Sequence, residues 1–218
     1  AKLAAQVQSG KKLRDLGFTH EVVPEHFSVK APVFPFNKFP GVDTILGPEM
    51  RSTGEVMGID ENFGAAFAKA MEAADVQLPK EGKVFLSVKD SDKREICALA
   101  ARLRQMGYGL VATAGTYKAL HNQGLPVELV NKIHEGRPHV IDLIKNRQVG
   151  LIINTPSGNV ERSDDRLIRS TAVSYKVPCL TNLAAAAAAI LAMSVSREDA
   201  LDAVRVQDLH ATARPTPR

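Results

Sequence analysis

Cysteine is almost absent from this chain: Cys97 and Cys179 are its only two thiols in 218 residues, and they form no CxxC pair. A disulfide framework or a zinc knuckle needs more thiols at closer spacing, so neither is indicated. No secretory leader is recognised, and a reducing cytoplasm is the expected setting. Long apolar runs are missing as well. The most apolar stretch, Leu183 to Met193, is mostly alanine and falls far short of the roughly 20 residues a membrane span needs. It reads as a buried helix, and no membrane partner is expected. There is also no block of one charge, since Lys and Arg are interspersed with Asp and Glu and the net charge is only +4. Nucleic acid is therefore not an expected partner, whereas a few lysines converging on one pocket would suffice for a small anion. Neither GxxxxGK followed by Ser or Thr nor GxGxxG occurs, so nucleoside-triphosphate and dinucleotide sites lack their usual fingerprints.

What is present is a globular composition, 44% hydrophobic and 24% charged, which can bury a core. From Lys83 onward, apolar runs of strand length alternate with amphipathic segments of helix length, the pattern of βαβ units around a parallel sheet. Five strands are expected, at Val84–Val88, Leu110–Thr113, Val127–Val130, Val149–Thr155 and Pro178–Thr181, each followed by a helix. In the first helix Ile96, Leu99, Leu103 and Met106 recur at helical spacing, with Ser91 as the expected cap and Gly107 as the stop. The last helix, Leu183 to Met193, follows the N-cap candidate Asn182 and should be almost wholly buried. Residues 1–78 differ: helical pieces flank a stretch, Ser28 to Gly58, broken by four prolines. Its large apolar residues Phe34, Phe36, Phe39, Val42 and Ile45 must pack on something. The Pro- and Gly-containing segment Gln77 to Gly82 reads as a linker, so two regions are expected, 1–78 and 79–218. The start at Ala1-Lys2-Leu3, without methionine, suggests a piece of something longer.

In an open parallel sheet ligands bind beyond the carboxyl ends of the strands, and here those ends are polar. Ser87 and Lys93 follow the first strand beside a helix start, where free N–H groups and the helix dipole favour an anion. Thr113, Gly115 and Thr116 follow the second strand, and Lys132 after the third is a second positive charge within reach. Asn154 and Thr155 end the fourth, where an amide could read a base or ribose edge. Together these suggest a phosphate cradle, although Thr113 and Thr116 could equally cap the next helix and Gly115 could serve only a turn. His134 and His139 are separated by helix-breaking Gly136 and Pro138, which favours loop structuring over metal ligation. Cys97 reads as core filler, and Asp90, Asp92, Asp164 and Asp165 as helix-start residues at the positive dipole end. No catalytic residue and no metal ligand is assigned.

The strings SVKDSDK, ATAGT, VNKIHEGRPHVIDLIKN and INTPSG, in this order and spacing, closely resemble the methylglyoxal-synthase-like domain that closes carbamoyl-phosphate synthase large subunits. Upstream, VFPFNKFPGVDTILGPEMRSTGEVMGID resembles the tail of the second ATP-grasp half of the same subunit. The resemblance implies an α/β fold: a five-stranded parallel Rossmann-like sheet over 79–218, preceded by the C-terminal tail of an ATP-grasp domain over 1–78. It implies part of a glutamine-dependent ligase that makes carbamoyl phosphate for pyrimidine and arginine synthesis. The implied partners are a nucleoside monophosphate effector such as UMP or IMP, the remainder of the large subunit and the glutaminase small subunit. The family's effector-phosphate contacts map onto Ser87, Lys93, Thr113, Thr116 and Lys132, with Asn154 and Thr155 near the base or ribose. Its ATP and Mg or Mn ligands map before Ala1, so the residues given hold no cofactor and would not catalyse the reaction alone.

Two departures bear on the ligands. A threonine of the family's nucleotide site is Pro156 here, and a glutamate and a tyrosine of its ornithine pocket are Ala31 and Cys179. The resemblance therefore does not carry ornithine activation over. The enzyme alternative is a freestanding methylglyoxal-synthase-like phosphate lyase, whose GGDQQ-like string is absent. The cyclohydrolase domain of purine synthesis shares the SVxDK and TxGT pattern but has a GRVKTLHP-type string where this chain has EGRPHVIDLI.

Overall fold

A computed structural model describes residues 1–21, 23–34, 54–156, 163–198, 201–205 and 207–208. Of the large apolar residues expected to pack in the middle stretch, Phe34 is half-buried; Phe36, Phe39, Val42 and Ile45 lie outside the described residues, as do Ser157 and Gly158 of the INTPSG string. The chain divides into two compact units, one of residues 1–25 with 204–218 and one of residues 26–203. The first contains helix α1 (Lys2–Gln8) and a 3-10 turn over Leu13–Leu16 that Gly17 ends in the left-handed conformation, at φ 69°.

The second unit opens with an antiparallel pair, β1 (Phe27–Val33) and β2 (Gly54–Asp60), in the register Val29↔Gly58 and Ala31↔Val56. Helix α2 (Phe63–Ala73) follows, and Asn62 caps it: its Oδ1 accepts the N–H groups of Gly64 at 2.8 Å and Ala65 at 3.3 Å. Alanines at 65, 66, 68 and 70 are buried, and small side chains let α2 lie close to both the hairpin and helix α7 (Leu183–Glu198). The boundary expected after residue 78 falls inside this unit, between α2 and β3.

The remaining strands are β3 (Lys83–Ser87), β4 (Gly109–Ala112), β5 (Glu128–Leu129), β6 (Leu151–Asn154) and β7 (Cys179–Leu180). They form one parallel sheet in the order β5-β4-β3-β6-β7. All five expected strands are present, but the outer two shrink to two residues each. An edge strand has only one neighbour to hydrogen-bond, so its ladder ends sooner. The strands' side chains alternate with period two. Val84, Leu86, Leu110, Leu151 and Ile153 bury one face against α3 (Lys93–Gln105), α4 (Ala114–Asn122) and α7, with Ile96, Leu103 and Ile190 fully enclosed. Phe85, Val111 and Ile152 bury the other against α5 (Val140–Lys145) and α6 (Ser163–Ser174). Burial on both faces is why these strands read as near-continuous apolar runs.

Two local expectations need correction. Ser91 does not cap α3: a 3-10 turn over Asp90–Asp92 leads into the helix, Asp92 takes the cap position, and the Ser91 hydroxyl donates to Asp92 at 2.9 Å. α7 is less enclosed than expected, since Ala184 is exposed and Leu191 half-buried, although Leu183, Ala186, Ala189, Ile190, Ala192 and Met193 are buried. Asn182 caps it as expected, accepting the Ala185 N–H at 2.8 Å.

Candidate functional site

The chain enters the sheet at β3 in the middle, runs outward through β4 to β5, then crosses back to β6 and β7 on the other side. The connections leaving β3 and β6 therefore diverge and open a crevice at their carboxyl ends. Ser87 and Asn154, the last residues of these two strands, are paired across it. The cleft there has a volume of about 540 Å3, and Ser87, Lys93, Thr113, Thr116, Lys132, Asn154 and Thr155 all line it. The structure thus brings together all seven residues singled out from the sequence.

Their hydrogen bonds show how they are held. Thr116 Oγ1 accepts the Val88 N–H at 3.0 Å, and Thr155 Oγ1 accepts the Lys89 N–H at 3.0 Å. A hydroxyl has one proton to donate, so fixing these oxygens as acceptors leaves their O–H groups for something else. Ser87 and Thr113 share a third bond of 3.0 Å. Thr113 occupies the N-cap position of α4 but makes no side-chain capping bond, and the Thr116 oxygen accepts from the β3 loop rather than from its own helix. The capping interpretation of both threonines therefore fails. Lys93 pairs with Asp90, whose carboxyl that ammonium holds below its ordinary value. Gly115 leaves room for the Lys93 ammonium at the start of α4, where the first turn has N–H groups without helical acceptors. Among the described residues no carboxylate pairs with the Lys132 ammonium.

The loop that carries Lys132 is anchored at both ends. The Lys132 N–H donates to Glu135 at 2.9 Å, while Asp142 accepts the His139 N–H at 3.0 Å and Arg137 Nε at 3.1 Å. These bonds, the Arg137 guanidinium foremost, push the Asp142 carboxyl down to about 2. His134 reaches across the cleft mouth, its Nδ1 lying 3.0 Å from Asp164 Oδ2. The His134 side chain thus ties its loop to α6, while at His139 it is the backbone N–H that holds the loop to Asp142. Among the described residues no three His, Cys, Asp or Glu side chains gather as a metal site.

Reading along the sequence missed the cleft's acidic side. Asp164 and Asp165 do open α6, but they also line the cleft, and Asp165 accepts the Asn154 amide at 3.0 Å. A helix-start aspartate is so well explained by the dipole alone that nothing in the sequence marks a second role. Both cysteines sit in surroundings that disfavour the thiolate. Cys97 packs against the core and burial raises its pKa, while burial pushes the Cys179 thiol up to about 12. Thiols so shifted stay protonated and unreactive at neutral pH.

Residues 95–181 match the family model of the MGS-like domain. Among curated relatives, the carbamoyl phosphate synthase large chain of a Nostoc species is 53% identical over 208 residues, which is 95% of this chain and 19% of that one. The large chain of Pseudomonas putida is 51% identical over 97% of this chain and 20% of its own length. An arginine-specific chloroplastic large chain of Oryza sativa is 48% identical over 97% of this chain and 18% of its own. The chain thus spans about a fifth of the length of the curated relatives it matches. Among solved structures, a methylglyoxal synthase of Elizabethkingia anophelis aligns over 64% of this chain and 95% of its own, at 16% identity and a TM-score of 0.44. No helix of the described residues is long and apolar enough to cross a membrane. Half-identity sustained along nearly the whole chain, with a methylglyoxal-synthase-like domain at the cleft-bearing sheet, places this chain in the carbamoyl phosphate synthase large-chain family.

Proposed function

We propose that this chain is the regulatory C-terminal region of a glutamine-dependent carbamoyl-phosphate synthase large subunit, and that its cleft binds a nucleoside monophosphate effector such as UMP or IMP by the phosphate. The observation that carries this reading is one convergence. Two ammonium groups, Lys93 and Lys132, and the hydroxyls of Ser87, Thr113, Thr116 and Thr155 line a single cleft at the switch point of the sheet. A phosphate offers three or four acceptor oxygens and negative charge; this set offers donors and positive charge. Asn154 and Thr155 at the end of β6 are the groups for the ribose or base. Pro156 has no hydroxyl to add, which narrows the contacts available to that end.

In this reading ATP with Mg or Mn, and the chemistry that makes carbamoyl phosphate for pyrimidine and arginine synthesis, belong to the remainder of the large subunit, with ammonia from the glutaminase small subunit. Residues 1–78 are the tail of the ATP-grasp half and 79–218 the effector domain, in a cytoplasmic enzyme. Thermal melting of the full chain with saturating UMP, IMP and inorganic phosphate tests it. A ligand at a hundred times its dissociation constant stabilises by about 2.7 kcal/mol, so a rise specific to one nucleotide is expected. No shift with any of the three would overturn the effector reading.

A second reading has an observation behind it. Asp164 and Asp165 lie in the same cleft as the cations, and a phosphate lyase needs a carboxylate base beside its phosphate site. Here Asp165 is engaged by Asn154 and Asp164 by His134, which disfavours that role. Phosphate release from dihydroxyacetone phosphate would establish it.

A further inference from the structure

The acidic side of the cleft contains a side-chain pair for which phosphate binding gives no reason. Asn154 is only 2% exposed, and its Nδ2 donates to Asp165 Oδ1 at 3.0 Å. Asp165 lies in the first turn of α6. An ionised carboxylate accepts hydrogen bonds and donates none, whereas a carboxamide has one donating and one accepting edge. Only the donating edge of Asn154 can face Asp165, so its carbonyl oxygen is turned away from that partner. Both residues line the cleft.

We infer that Asp165 is a positioning residue that locks the Asn154 carboxamide, so that the β6 end of the cleft offers acceptors and selects ligands carrying hydroxyl or N–H donors beyond their phosphate. The inference rests on the phosphate-ligand reading and adds what the far end of the ligand must be. The cleft is then bipolar. Lys93, Lys132 and the hydroxyls demand an anion, while Asn154 Oδ1 and the Asp165 carboxylate demand donors. Inorganic phosphate meets only the first demand; a phosphorylated ribose with its free diol meets both. Without Asp165 the amide could turn over and offer either edge, and the selectivity would go.

The test is titration calorimetry on the full chain with inorganic phosphate, a ribonucleoside monophosphate and its 2′,3′-dideoxy analogue, for the wild type and Asp165→Ala. Side-chain amide NMR of Asn154 accompanies it. Wild type should prefer the ribonucleotide over the dideoxy analogue by about tenfold, the scale of one or two hydrogen bonds. Asp165→Ala should erase most of that preference, leave phosphate affinity unchanged or slightly raised, and shift the Asn154 amide protons upfield. Equal loss of phosphate and ribonucleotide affinity, or an unchanged preference, would overturn the selective role. An Asn154 signal indifferent to Asp165→Ala would overturn the positioning itself, whatever binds. A wild type that binds none of the three compounds while its Asn154 signal responds as expected would instead sink the phosphate-ligand reading and, with it, the ligand class inferred here.

Discussion

Lys93 and Gly115 touch across the start of α4: a β-carbon at position 115 would lie 3.0 Å from the Lys93 ammonium nitrogen and 3.5 Å from the carbon behind it. Gly115 sits in the first turn of a helix, not in the left-handed region, so its backbone makes no demand for glycine. Its contribution is space for a cation. Gly115→Ala should therefore act in opposite directions on stability and binding. Alanine favours the helix by up to about 1 kcal/mol, and the displaced atom is the end of a flexible side chain, so the melting temperature should hold or rise. Phosphorylated ligands should bind more weakly, by about threefold to tenfold, as Lys93 is pushed from the cleft. Melting curves with and without UMP read both effects; tighter binding would show that Lys93 is not a ligand cation.

Lys132 is the complementary case, a cation with no carboxylate partner among the described residues. If the cleft binds a phosphate as proposed, replacing Lys132 with alanine should remove a charged hydrogen bond worth about 1.5–3 kcal/mol of binding, while touching little of the core. Calorimetry should show a phosphate affinity lowered by at least an order of magnitude and an unchanged unfolding midpoint. An unchanged affinity would remove Lys132 from the site.

The strand ends were the most legible part of the site. Each apolar run stops where a hydroxyl, lysine or amide begins, and parallel-sheet topology then brings those ends together without further information. The threonines were ambiguous, because a hydroxyl before a helix serves equally as a cap. Only the Val88 N–H group, arriving from another segment, decides what Thr116 does, and only the structure shows that Thr113 makes no side-chain capping bond. Ser91 was misjudged because a preceding 3-10 turn competes for the same residues, and local propensity does not separate the two. The role of Asp165 was illegible, since it depends on α6 returning beside the end of β6.

Gly58 carries a different kind of necessity. It lies on β2 against α2, and a β-carbon there would come within 2.0 Å of the Ala66 carbonyl oxygen and 2.5 Å of the Ala70 nitrogen. Both are backbone atoms of one helix, so neither can yield without α2 moving off the hairpin. Gly58→Ala should cost about 3 kcal/mol, at the upper end of overpacking substitutions. The cleft is built from other elements, so the folded fraction should bind UMP as before. Urea unfolding with and without ligand checks both statements, and a neutral substitution would mean that β2 does not press on α2 this closely.

Asp142 makes stability and acidity one question. The Arg137 hydrogen bonds first, and then the His139 N–H, push its carboxyl from the ordinary 3.8 down to about 2. A carboxyl more acidic in the folded than in the unfolded chain stabilises the fold fully above its unfolded value, and that contribution is lost as pH falls through its folded value. The wild type should therefore lose stability between about pH 4 and about pH 2 through this group. Asp142→Asn should be less stable near neutrality and lose less over that acid window, so the two profiles converge as pH falls. Urea midpoints measured across the window decide it: parallel profiles would show that Asp142 is not held ionised by Arg137. The same bonds anchor the loop that carries Lys132, so the variant should also bind phosphate more weakly near neutral pH.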